Sequence, residues 1–106
     1  MVIWTETAIT DLTGFIDSAK NTGTEESVKK YLTELIEFTY LLNDMNELGT
    51  EIKEIKIKQN IRQLIYRKHR IVYYLKDNDA YVITIIHTKR DFFSVLKRVL
   101  ENEGGK

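Results

Sequence analysis

The chain has 106 residues, 42% of them hydrophobic and 30% charged, which suits one domain with a modest core and is unlike a disordered chain. It contains no cysteine, so disulfides, thiol nucleophiles and cysteine-ligated zinc are excluded; no apolar run nears the roughly 18 residues of a membrane span, and no basic-then-apolar leader opens it. Formal charge cancels overall, yet residues 1–50 hold three basic and nine acidic residues, a balance of −6, and residues 51–106 hold thirteen and seven, a balance of +6. The expectation is a cytoplasmic single domain, residues 1–106. Its C-terminal half meets an anionic partner, nucleic acid first, or its two halves attract one another within the fold.

In chain order, Val2–Thr5 is a short β-prone opening. Ala8, Ile9, Leu12, Phe15, Ile16 and Ala19 follow at spacings of one, three and four, an amphipathic helix that Asn21 and Gly23 end. A second helix starts at Thr24, with Glu25 and Glu26 at the positive end of its dipole, or at a capping box of Thr22 with Glu25. Its stripe of Val28, Tyr31, Leu32, Leu35, Ile36, Phe38 and Leu42 keeps helical period to about Asn43, and the two helices form a hairpin. Beyond "NDMNELGTE" the period changes to two. Ile55 and Ile57 alternate with Lys56 and Lys58, and Ile61, Gln63 and Ile65 oppose Arg62, Leu64 and Tyr66. Residues 70–76 and 80–87 are rich in β-branched and aromatic residues. A three-stranded antiparallel meander follows from these runs, with turns at "RKH" and "DNDA". "RDFFSVLKRVLE" closes as a short helix with Phe92, Val95, Leu96 and Val99 on one side. The order β-α-α-β-β-β-α is an α+β fold. The helical hairpin covers one sheet face, the last helix part of the other, and a partner the remainder.

Chemistry is sparse. The two histidines, His69 and His87, lie at no metal-ligand spacing, no glycine-rich loop suits a phosphate, and Ser18, Ser27 and Ser94 lack a nucleophile setting. No metal or cofactor is expected. What remains is a basic constellation: Arg62, Arg70, His87, Lys89 and Arg90, with Lys56, Lys58, Arg67 and Lys68 nearby. Hairpin pairing is expected to bring Arg70 beside His87, with Arg90 just beyond. There, guanidinium groups can hold a phosphodiester and an imidazole can move a proton. The competing reading is arginines on a solvated sheet edge and a histidine that ends a core strand.

Three motifs carry a resemblance: "IWTETAITDL" with Trp4, Ala8, Asp11 and Leu12; "IRQLIYRKHRIVYYL" with Arg70–Ile71–Val72–Tyr73; and "IIHTKRDF" with His87, Arg90 and Asp91. In this order the chain resembles the RelE/ParE superfamily of type II toxin–antitoxin toxins along nearly its whole length. The resemblance implies a growth-inhibiting toxin neutralised by a cognate antitoxin, whose C-terminal segment wraps around it as an amphipathic helix or an added strand. RelE-like members cleave mRNA at the ribosome; ParE-like members inhibit DNA gyrase. It marks Arg62, Arg70, His87 and Arg90 as candidate catalytic residues and Lys56, Lys58 and Lys89 as candidate target-binding residues. The cleaving members resembling RelE typically add a Lys-x-Lys strand, which "IRQL" only half matches, and a tyrosine in the last helix, where this chain has Leu96. His87-x-x-Arg90-Asp91 is closer to the ParE-like pattern. The alternative is an inactive binding module that only pairs with its antitoxin.

Overall fold

A computed structural model describes residues 1–54 and 60–104. In chain order, β1 (Val2–Trp4), α1 (Glu6–Thr22) and α2 (Glu25–Thr39) lead through a 3-10 turn (Tyr40–Asn43) to β2 (Thr50–Glu51). Then come β3 (Ile61–Tyr66), β4 (His69–Lys76), β5 (Asp79–His87) and α3 (Phe92–Gly104). The fold is α+β, as expected. The described strands form one sheet in the order β1-β5-β4-β3-β2; β1 runs parallel to β5, and the other neighbours pair antiparallel. The expected meander is β3, β4 and β5. The alternation of Ile55 to Lys58 lies outside the described residues, and with it candidates Lys56 and Lys58.

Local signals act largely as the sequence indicates. Thr5 caps α1, its hydroxyl accepting from Ala8 N at 3.3 Å, and Gly23 closes that helix at φ 72°, a left-handed residue that glycine adopts without steric cost. Thr24 stands at the N-cap of α2, but its side chain caps nothing. It shares a hydrogen bond of 2.8 Å with the Thr22 hydroxyl, so the alternative capping box does not form. The second helix also ends earlier than its stripe suggests: at Tyr40 it tightens to the 3-10 turn, which still delivers Leu42 to the core.

The sheet separates two apolar layers. On one side Leu64, Ile71, Tyr73, Val82 and Ile85 pack with Ala8, Leu35 and Leu42 of the helical hairpin and its 3-10 extension. On the other, Ile61, Val72, Ile83 and Ile86 pack with Ile52 and with Phe92 and Leu96 of α3. A bulge in β5 makes this division work. Val72 sits opposite Thr84 while Tyr73 sits opposite Val82, so Ile83 is the extra residue. Beyond it the pleat reverses, and Val82 and Ile85, three apart, share a face. Helix α1 fastens this irregular backbone. The Thr5 hydroxyl donates to the carbonyls of Val82 and Ile83 at 2.8 and 3.1 Å. Asp11 accepts from the Thr84 hydroxyl at 2.6 Å and from Ile85 N at 3.1 Å.

On the β4 strand beside the bulge, Gly49 passes under Tyr73. The Tyr73 hydroxyl accepts from Gly49 N at 2.8 Å and donates to the Asn46 carbonyl at 2.9 Å, and burial pushes its pKa up. A Cβ on Gly49 would stand 2.6 Å from that hydroxyl and 2.7 Å from the Gln63 carbonyl, so only glycine allows this approach.

Candidate functional site

The candidate residues gather, in part, at the end of the sheet where the β3–β4 turn meets the segment after β5. Arg67 takes the left-handed conformation of that turn at φ 50°, and its guanidinium lies 5.6 Å from the centre of the Tyr66 ring. Thr88 N donates to the Lys68 carbonyl at 2.8 Å, tying the two segments together. In the segment beyond, Lys89 N donates to His87 Nδ1 at 3.1 Å and Arg90 N to the His87 carbonyl at 3.0 Å. Arg67, Lys68, Lys89 and Arg90 are all exposed. Asp91 then starts α3 with its carboxylate on the backbone N–H and hydroxyl of Ser94, which hold its pKa down.

Arg70 and His87 do not come together. His87 is directly opposite His69, and Arg70 is opposite Ile86. The Thr88–Lys68 hydrogen bond makes the His69–His87 pair a non-hydrogen-bonded one, in which side chains approach most closely. Their rings meet edge to face at 5.0 Å. His69 also packs on Phe15 of α1 at 5.2 Å and Tyr31 of α2 at 5.3 Å, so both imidazoles belong to the helical-hairpin face. Arg70 points to the other face. Its guanidinium lies over the Phe92 ring of α3 at 4.8 Å and donates to Gln63 Oε1 at 2.8 Å, while its buried Nε has no partner. The bulge explains the separation. Counted outward from the Asp77–Asn78 turn without a bulge, His87 would pair with Lys68 and share Arg70's face. The extra residue Ile83 shifts the pairing by one and turns His87 through the sheet.

Arg62 stands apart as well. It pairs with Tyr73, three positions along β3 from Arg70's partner Ile65, about 10 Å at strand rise. Its guanidinium donates to the carbonyls of Gly49 at 2.8 Å and Glu47 at 3.3 Å, which fixes the loop entering β2. Leu96 is fully buried against the sheet.

His69 is the titratable group that the sequence reading passed over. Burial first, then the charges of His87 and Lys68, lowers its pKa to about 4. Its Nδ1 lies 2.8 Å from the Tyr31 hydroxyl, which also donates to the Tyr66 carbonyl at 3.2 Å and accepts from Lys68 N at 3.3 Å. Burial raises the pKa of Tyr31 in turn. Pairing register was the signal that could have found this cluster, and the register depends on the bulge.

Among the described residues no group of three or more histidine, cysteine, aspartate or glutamate side chains could hold a metal ion, and no helix is long and apolar enough to cross a membrane. The family model described as "ParE toxin of type II toxin-antitoxin system, parDE" matches residues 2–92. No curated protein matches in sequence. Among solved structures, the chain is similar to "Chromosomal ParDE TA system from P. aeruginosa", with a TM-score of 0.68 and 18% identity over 83% of this chain and 95% of that one. The isolated E. coli RelE toxin also matches, with a TM-score of 0.42 and 18% identity over 94% of this chain and 98% of that one. These likenesses concern fold. The motifs at Trp4, Arg70 and His87, the α+β architecture and the family match over residues 2–92 agree: the chain belongs to the ParE toxin family of type II toxin–antitoxin systems, in the RelE/ParE superfamily.

Proposed function

We propose that this chain inhibits growth by acting on DNA gyrase, without cleaving mRNA, and that a cognate antitoxin holds it in check. The separation of Arg70 from His87 across the sheet carries this reading. Acid–base cleavage of a phosphodiester asks for a proton-transfer group and charge-stabilising guanidinium groups around one reacting centre, within about 3 Å of the atoms they serve. Here Arg62 serves a loop, Arg70 lies under Phe92, and His87 faces the helical hairpin. At Leu96 no hydroxyl is present to assist. The ParE family match points the same way.

For the antitoxin, exposed apolar side chains mark the docking ground. Tyr40, Leu41, Met45 and Leu48 follow α2, and Ile65 lies on β3. Among the described residues β2 pairs with Arg62 and Gln63 and no strand pairs with the outer edge of Leu64 to Tyr66, an edge that suits an added strand.

The test adds purified, antitoxin-free protein to two reactions. In a gyrase supercoiling assay, inhibition is expected. In bacterial cell-free translation, mapped message 5′ ends are expected to stay unchanged. New cuts on translated message with gyrase unaffected would overturn the proposal in favour of a ribosome-dependent nuclease. Inactivity in both, with no growth defect on induction, would leave an antitoxin-binding module.

A further inference from the structure

Cations outnumber carboxylates at the turn end of the sheet. Arg67, Lys68, Lys89 and Arg90 all lie within two residues of the Thr88–Lys68 hydrogen bond, and all four side chains are exposed. Among the described residues none of the four makes an ion pair. The nearest carboxylates hydrogen bond to neutral groups beside the cluster, Glu34 to the Tyr66 hydroxyl and Asp91 to Ser94, and Glu25 pairs with Lys29 at 2.7 Å. The far end of the strands is different. There Asp77 and Asp79 mix with Lys76 and the terminal amine, which binds Asp79 at 3.1 Å. The turn end of the sheet therefore carries a net positive surface, and its backbone is fixed by hydrogen bonds from both segments.

We propose that this end binds the phosphate backbone of duplex DNA, independently of sequence. Four cations crowded on one rigid edge suit closely spaced phosphates, and guanidinium and ammonium groups both serve as phosphate donors. Single-stranded nucleic acid would call for aromatic rings with a free face. Phe15, Tyr31 and His69 pack on one another, and Tyr66 carries Arg67 on one side while packing against Tyr31 and Phe38, which leaves Phe93 at the start of α3 as a single exposed ring where successive bases would need several. The four cations lie in the segments between β3 and β4 and between β5 and α3, not along a helix or strand that could enter a groove, so contact stops at the backbone. This activity goes beyond the gyrase reading and does not require it, because the DNA contact is measured without gyrase.

The experiment titrates the free toxin into a fluorescein-labelled duplex of about 24 bp and follows anisotropy at several salt concentrations. With four phosphates neutralised, the logarithm of the binding constant falls with the logarithm of salt at a slope of about −3 to −4, roughly a hundredfold weakening from 50 to 200 mM. The variant Arg67→Gln/Lys68→Gln/Lys89→Gln/Arg90→Gln is expected to lose about tenfold or more at low salt and to flatten that slope. A matched control, Lys20→Gln/Lys53→Gln/Lys97→Gln/Arg98→Gln, removes the same charge from exposed positions elsewhere and should bind like the parent. Circular dichroism checks that both variants fold. The proposal fails if the parent does not bind the duplex, or if both variants behave alike. It fails equally if single-stranded RNA of the same length or polyglutamate binds more tightly than duplex DNA.

Discussion

His69 shows how a single side chain ties the layers together. It touches both helices of the hairpin and the neighbouring strand, and the fold holds it neutral. In the unfolded chain its pKa returns to the ordinary 6.5, against about 4 when folded. Above pH 6.5 both states are neutral and the stabilisation is complete. As pH falls from 6.5 towards 4 the unfolded chain takes up the proton first, so stability declines through that window. The loss is on the order of 1–2 kcal/mol after discounting for solvent screening of a partly exposed ring. Urea melts at pH 7 and pH 5 should show this loss, and His69→Phe, which keeps the ring packing, should remove most of the difference. An unchanged difference in the variant would place the pH dependence in other groups. Arg70 and Arg62 teach the complementary lesson. Residue type announced them as candidates, but their hydrogen-bond partners, Gln63 across the hairpin in one case and the Gly49 and Glu47 carbonyls of the loop at β2 in the other, follow from strand pairing and not from residue type.

At the scale of elements, periodicity decided most of the outcome. The stripe of α2 brings Leu32 and Leu35 into the core, and Leu35 is completely buried between the hairpin and the sheet. Leu35→Asp would bury an unpaired carboxylate there at a cost of several kcal/mol. Since a small domain commonly has about 5–15 kcal/mol in all, the variant should lack a cooperative thermal transition; normal melting would refute the assigned helix face. Strand β5 was legible as a strand but not as a bulged one. "AYVITIIH" is apolar at almost every position, so no contrast between faces remained to mark where the pleat reverses. The bulge is fixed by Thr5 and Asp11, more than seventy residues away in the chain. Residues 50–51 were likewise unreadable as β2, because two exposed residues that pair with Gln63 and Arg62 carry no periodicity.

For the molecule as a whole, function follows from which faces the candidate groups occupy. His87 looks towards the helices and Arg70 towards α3. Under the gyrase reading His87 has no proton to transfer, so induced His87→Ala should still arrest bacterial growth at comparable protein levels. Loss of toxicity in a variant that remains folded would return mRNA cleavage to the front. Part of the positive charge of the second half gathers at one end of the sheet, in Arg67, Lys68, Lys89 and Arg90, while Lys53, Lys76, Lys97 and Arg98 are exposed elsewhere. By itself the sequence determined the types and order of the longer elements, the helix stripes and the family, because hydrophobic period, caps and short motifs are local and survive without knowledge of neighbours. Only the tertiary structure decided that His87 pairs with His69 and faces away from Arg70. One extra residue in β5 reverses every side chain beyond it, and contacts from the far end of the chain hold that residue in place.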